Sequence, residues 1–585
     1  DLSGRSITMH LNEQGLVSRV TDSTGREVNL FYDDDHNLKI IENAIGERYY
    51  YTYDGDHHIT DAAYPNGTVY VRNTYDEKGR VLTQDDGIKD TPLIFLSYTE
   101  DEDTGHRTIR VTNRLGNTSV HEYDQSGNPI REVNEKGETI SYTYDADGNN
   151  TMVTDANGSQ KQSDYDADGN VIRITETGGV VTDLTYNENG QLTETKNSIG
   201  ETVSFDYDEK NQLIAVTDQS GSTTSYTYDA VGQVLSEKNE AGTIRYTYQG
   251  ADVISVTDRN GHIVQNQYDA VGRLTSVRDE YGTLKSNTYD ALGRILTETN
   301  ASGGVTRYTY NALGKKQTVT DPAGGVTTYE YNENGWLTRV TDPAGGYINY
   351  SVNSEGWIIA MTDSLGRTRH YEYDAVGNMT AEIDAEGNRT EYTYDAGGHA
   401  LSVLYPDGSA KTYSYYPNGK LAKETDEEGT ATYYTYNQNW KVSNITSDAG
   451  DAVSYEYDPT GNTTARIDAL GNKTSYTYDT QGNMLTMTDP MGNTTTYTYD
   501  AAGNVLSEKD ALGSETTYTY DKRGRVTDIR LADGSVTKLE YDNADNITRT
   551  IDPMGNTITY QYDNQNNCIQ IRDGYGIIYQ VSASC

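Results

Sequence analysis

From Tyr373 to Tyr562 a tyrosine recurs every 21 residues, and a chain with so strict a period builds one structural unit many times over. The register continues upstream to Tyr123, interrupted by Val352 and by two 20-residue steps around Tyr248. Further upstream it loosens, through Leu11, Tyr32, Tyr53, Tyr75 and Tyr98, with spacings that reach 25. That makes 27 registers. Two tyrosines and two glycines per unit account for the 52 Tyr and 56 Gly of the chain.

One unit, Thr494 to Gly513, shows what each copy folds into. Thr496-Tyr497-Thr498-Tyr499 alternates β-branched and aromatic residues, a strand signal that puts both tyrosines on one face. Asp500-Ala501-Ala502-Gly503 carries Asp at the first and Gly at the fourth position of a type I turn. A second strand over Asn504–Lys509 ends at Asp510-Ala511-Leu512-Gly513, a turn of the same form. We call these the first turn and the return turn. Two turns per unit leave strands of about six or seven residues in an antiparallel meander. Eight of the ten prolines fall on turn positions, including Pro322, Pro343, Pro490 and Pro553 after Asp in the return turn, where a fixed φ costs no ladder hydrogen bond. The residues expected to set the repeat are Tyr144, Asp145 and Gly148; Tyr228 and Asp229; Tyr289 and Asp290; Tyr373 and Asp374; Tyr478, Asp479 and Gly482; Tyr499, Asp500 and Gly503; and Tyr520 and Asp521. One detail stays open. In Leu337-Thr338-Arg339-Val340 the apolar residues lie three apart, which needs either a bulge or cover on both faces.

Composition agrees with one repeated sheet. Only 34% of the chain is hydrophobic and its formal charge is −43, a disorder signature that the tyrosines contradict. The acidity argues against nucleic acid and anionic membrane surfaces as partners. The longest apolar run, Leu93-Ile94-Phe95-Leu96, falls far short of the ~20 residues of a membrane-spanning helix. We read residues 1–122 as irregular repeats, 123–563 as regular ones and 564–585 as a C-terminal end carrying Cys568 and Cys585. The cysteines could close a small loop, pair between chains or stay free. A start at Asp1 without Met suggests a processed chain or a piece of a longer one.

The pattern Tyr-x-Tyr-Asp-x-x-Gly-Asn, as in Tyr476–Asn483, with Val-Thr-Asp-Pro-x-Gly, as in Val340–Gly345, resembles the YD repeats of the RHS family. Relatives there include bacterial RHS polymorphic toxins, cocoon-forming subunits of insecticidal Tc toxins, wall-associated proteins and teneurins. The resemblance implies an all-β sheet that spirals into a hollow shell and, in the toxins, encloses a C-terminal effector. It therefore implies a structural, non-enzymatic, secreted or cell-surface protein. Its implied partners are further repeats or capping domains, an enclosed effector, copies of itself, or surface glycans. One departure stands out. RHS toxins carry an Asp-Pro-x-Gly-Leu core with the aspartates of a self-cleaving protease, whereas Asp552-Pro553-Met554-Gly555-Asn556 is an ordinary repeat turn. About 54 strands at ~4.8 Å make a sheet roughly 260 Å long, which on a cylinder ~60 Å across completes little more than one turn.

No His-Glu-x-x-His, Gly-x-Ser-x-Gly, phosphate loop or Gly-x-Gly-x-x-Gly occurs, and no catalytic residue, cofactor site or metal site is expected. His57-His58, the one adjacent histidine pair, reads as a turn. Asp145-Ala146-Asp147-Gly148-Asn149 resembles the start of an EF-hand loop, but Gly falls at position four and Ala156 at position twelve. Weak Ca2+ binding by acidic turns is the remaining cation expectation. The tyrosine rows read as cross-strand packing and, in the alternative of a self-associating extracellular fibre or adhesin, as a glycan-stacking surface.

Overall fold

The computed structural model describes residues 1–86 and 92–580; Cys585 lies outside them. They form 55 strands, β1 (Ile7–Leu11) through β55 (Gly576–Gln580), in a single antiparallel sheet. No helix occurs among the described residues. Each strand pairs with its neighbours in sequence, β1 on β2 (Val17–Asp22) at one end and β54 (Cys568–Asp573) on β55 at the other. The all-β meander expected from the repeat is what the chain forms.

The spacing of three in the return strand is a bulge. In β31 (Val326–Tyr331) and β32 (Leu337–Thr341), Tyr331 faces Leu337 and Tyr329 faces Val340, with the register shifting between them. The extra residue brings Leu337 and Val340 onto the tyrosine face together. The same shift recurs beside Tyr144, Tyr228, Tyr289, Tyr373, Tyr478, Tyr499 and Tyr520. A bulge bends its strand and increases local twist. Repeated at one end of every hairpin, it coils the whole sheet.

The coil is tighter than a 60 Å cylinder. Side chains 238 to 265 residues apart touch, as in Glu201 with Asn439 and Arg26 with Ala291. One revolution therefore takes about a dozen repeats, and 585 residues make more than two turns. The expectation of little more than one turn is corrected accordingly. Asn157, between β14 (Asn150–Thr154) and β15 (Gln160–Tyr165), meets Asp395, between β37 (Arg389–Tyr394) and β38 (Ala400–Leu404). Twenty-three strands thus close a turn, a circumference of roughly 110 Å at ~4.8 Å per strand. The repeat's own bulges set that radius.

There is almost no core. The buried hydrophobic residues are Ala62, Ala381, Ala431 and Ala465, and no large side chain is fully buried. Accessible area is 32517 Å², against about 20,500 Å² for a compact monomer of this mass. A wall with two wet faces has such an excess; a packed globule does not.

Candidate functional site

The described residues hold no cluster of three or more His, Cys, Asp or Glu arranged to bind a metal, and their architecture is a wall. The candidate functional elements are therefore what locks each repeat, what joins successive layers, and what the free edges present.

In each repeat, Tyr, Asp and Gly lock a hairpin. Asp500 Oδ1 accepts the backbone N–H of Ala502 and of Asn504, both at 2.9 Å. The amide of Asn504 donates to Asp500 Oδ2 at 2.8 Å. Gly503 donates its N–H to the Asp500 carbonyl and sits at φ 89°, where a side chain is strained. This is a type I turn followed by a left-handed glycine, a recurrent hairpin loop. Asp145 and Gly148 repeat it, as do Asp479 and Gly482. Asp229, Asp290, Asp374 and Asp521 accept the same two N–H groups. The Asn149 amide, then its N–H, holds the Asp145 carboxyl below the usual carboxylate range.

The tyrosine before the turn reaches one repeat back. Tyr499 Oη donates to the carbonyl of Met484 at 2.7 Å. Met484 opens β46 (Met484–Thr488), beyond Thr486, its last paired position with β47 (Thr494–Tyr499). The phenol takes over where the ladder stops. Tyr144, Tyr228, Tyr289, Tyr373, Tyr478 and Tyr520 make the equivalent bond at 2.6 to 2.8 Å. Burial raises the Tyr499 pKa, so the phenol remains a donor. A further partner comes from the residue after the turn glycine, which stacks on the next repeat's tyrosine: Arg294 lies 4.7 Å from the Tyr310 ring centroid and Trp357 5.4 Å from that of Tyr373. His57-His58 belongs to the same plan. His57 occupies the left-handed turn position, and His58 bonds Asp54 and stacks on Tyr75. Cys568 is a free thiol, half-buried at the start of β54.

Sequence reading missed the seam. Where one layer meets the next, return turns of the earlier layer meet first turns of the later one. Asn260 donates to Asp500 at 2.8 Å, Lys136 lies 3.3 Å from Asp374, and Ser302 bonds Asn566. The most enclosed contact is ionic: Arg523 Nε and Nη2 donate to the two oxygens of Asp279 at 2.6 and 2.9 Å. His262 Nε2 lies 3.0 Å from the same carboxylate, and Tyr281 lies under the Arg523 guanidinium. Burial pushes the Asp279 pKa up, but the bonds from Arg523 and His262 outweigh it and hold the carboxyl well below its ordinary value. Elsewhere Trp440, itself at φ 55°, fills the space over Gly178. A Cβ on Gly178 would meet Trp440 Cζ2 at 2.6 Å. These pairs carry no local motif.

Comparisons with known proteins bear on the same wall. The RHS repeat family matches residues 123–160, 165–202, 207–244, 289–325, 316–347 and 353–389. The teneurin YD-shell family matches 372–516 and 436–581. No curated protein sequence matches the chain. Among solved structures, the crystal structure of TcdB2-TccC3-TEV aligns with a TM-score of 0.50 at 13% identity, over 98% of this chain and 41% of that one. The crystal structure of TcdB2-TccC3 aligns at 0.49 and 13%, over 98% and 40%. The chain spans about two fifths of the length of these structures, and at this identity the likeness concerns the fold. With the unbroken 21-residue repeat and its spiralling sheet, the family matches give one conclusion: the chain belongs to the RHS/YD-repeat family.

Proposed function

We propose that the chain is a non-enzymatic wall segment of a hollow shell, secreted or displayed at the cell surface, that encloses or presents a toxin, effector or other domain. The observation that carries this reading is the wall itself: a single-layer sheet, wrapped more than twice around and sealed layer to layer, with an accessible area of 32517 Å² and almost no core. Such a sheet has no structural use for a lumen except to hold something in it or exclude something from it. Membership of a family of repeat shells supports the same reading.

Electron microscopy of the purified chain tests it. Discrete hollow particles are expected; extended polymers would favour the adhesive-fibre alternative. A hydrolase activity lost on a single substitution would overturn the non-enzymatic part.

A further inference from the structure

The two rims of the spiral differ in chemistry. One consists of the first turns of the opening layer, from Asp33 to Asp208, which have no layer beneath them. Their two central positions carry ten carboxylates and two lysines in all, including Asp147, Asp168, Glu188 and Glu209. First turns seated on an earlier layer, from Asp269 to Asp563, carry two acids and two bases at those positions; most are Ala, Asn, Gln, Pro or Thr. Seated first turns are neutral and free ones are acidic.

The opposite rim consists of the return turns of the closing layer. Its third turn position holds Leu470, Met491, Leu512 and Met554, which are 85% to 94% exposed, and Tyr575 at 99%. In the earlier layers the same position holds Ile45, Leu115, Ile199 and Tyr281, and these are only 40% to 48% exposed. What covers them is the next layer: Asn353, Trp357 and Tyr373 flank Leu115, and Lys522 and Arg523 sit on Tyr281. The closing rim repeats the covered surface without its cover, and a contiguous exposed apolar row marks an interaction site.

We propose that the rim of Leu470, Met491, Leu512 and Met554 is the docking edge for a further layer of YD-repeat sheet whose first turns are neutral at their two central positions. The seam within the chain is the template for this contact. A second copy of this chain does not supply that layer, because its free first turns would set carboxylates on Leu and Met and lose their hydration without a partner. In a copy set directly on the spiral's end, the first turns from Asp145 to Asp208 fall over the arc of Met491, Leu512 and Met554. The acidic rim thus closes one end of the stack, and the apolar rim leaves the other end open to growth. This concerns the edge of the wall and holds whether or not anything is enclosed.

The chain itself serves as the probe in sedimentation velocity over a concentration series. The wild type is expected to stay monomeric. The variant Asp147→Asn, Asp168→Asn, Glu188→Gln, Glu209→Gln is expected to self-associate head to tail, and adding Met491→Glu and Leu512→Glu is expected to return it to monomer. Circular dichroism confirms that each variant keeps the strand spectrum and thermal transition of the wild type. A neutralised variant that stays monomeric at its highest soluble concentration overturns the proposal. So does association that survives the two rim glutamates, or a wild type that already associates through Leu512.

Discussion

The hydroxyl of Tyr499 bonds the carbonyl of Met484 at 2.7 Å across 15 residues of chain, and this contact ties one repeat to the one before it. Tyr499→Phe removes the donor but keeps the ring. A loss of about 1 kcal/mol is expected, read as faster amide exchange confined to β46 and β47, because stability in a repeat array is local. Val352 lacks the hydroxyl in its repeat. Val352→Tyr supplies a donor for the Leu337 carbonyl and should slow exchange there by a comparable amount.

The turn carboxylates act as acceptors. Asn fills the same role at Asn332 and Asn437, with Oδ1 accepting the N–H four residues on. Asp500→Asn should therefore leave the thermal midpoint nearly unchanged. Asp500→Ala strands two N–H groups in the turn and should cost about 1 kcal/mol in denaturant unfolding followed by fluorescence.

Acid should unfold the wall late. Asn side-chain amides, with help from backbone N–H groups, hold Asp145, Asp468 and Asp489 below the ordinary value of 3.8. For a carboxyl lowered on folding, the stabilisation is complete above its unfolded pKa and disappears as pH falls through its folded one. The thermal midpoint is expected to hold between about pH 5 and 7 and to fall below about pH 4. Replacing Asn149, Asn472 and Asn493 by Ala should flatten that fall.

Breaking the seam ion pair should cost more than breaking any single hairpin contact. The Asp279 side chain has 0% exposure and Arg523 has 7%. Arg523→Ala leaves a buried carboxylate with His262 as its remaining side-chain partner, at a cost of about 3 kcal/mol. Exchange should then rise together at residues 279–282 and 521–524, although 244 residues separate the pair.

Gly178→Ala tests the other seam lock, since its Cβ would clash with the Trp440 ring and its φ of 98° is left-handed. The substitution should destabilise by about 2 kcal/mol. Trp440→Gly should restore part of that loss, the part due to the clash, in a double-mutant cycle.

Most of the wall was legible in 21 residues. Thr496 to Tyr499 alternate as a strand does, and Asp500 and Gly503 stand where a hairpin needs an acceptor and a left-handed residue. Leu337 and Val340 left the bulge open because their spacing fits two-sided cover equally well. The seam was not legible. Arg523 and Asp279 meet only because curvature accumulates over two dozen strands, and no window the size of one repeat contains that sum. A trace of it does lie in the sequence: Asp147 and Asp168 occupy the turn positions that Ala501 and Ala502 fill once a layer lies beneath.

The seam also constrains how such a gene can change length. Neighbour-only pairing would let the chain gain or lose a hairpin anywhere, as near-identical repeats invite during recombination. Yet Asp279 needs Arg523, and Gly178 needs Trp440, each about a dozen repeats ahead. Deleting one interior repeat moves every later partner by one place, so a local edit becomes a mismatch along the remaining spiral. Inheritance therefore tolerates changes at the ends, or in whole revolutions, and resists them in the middle.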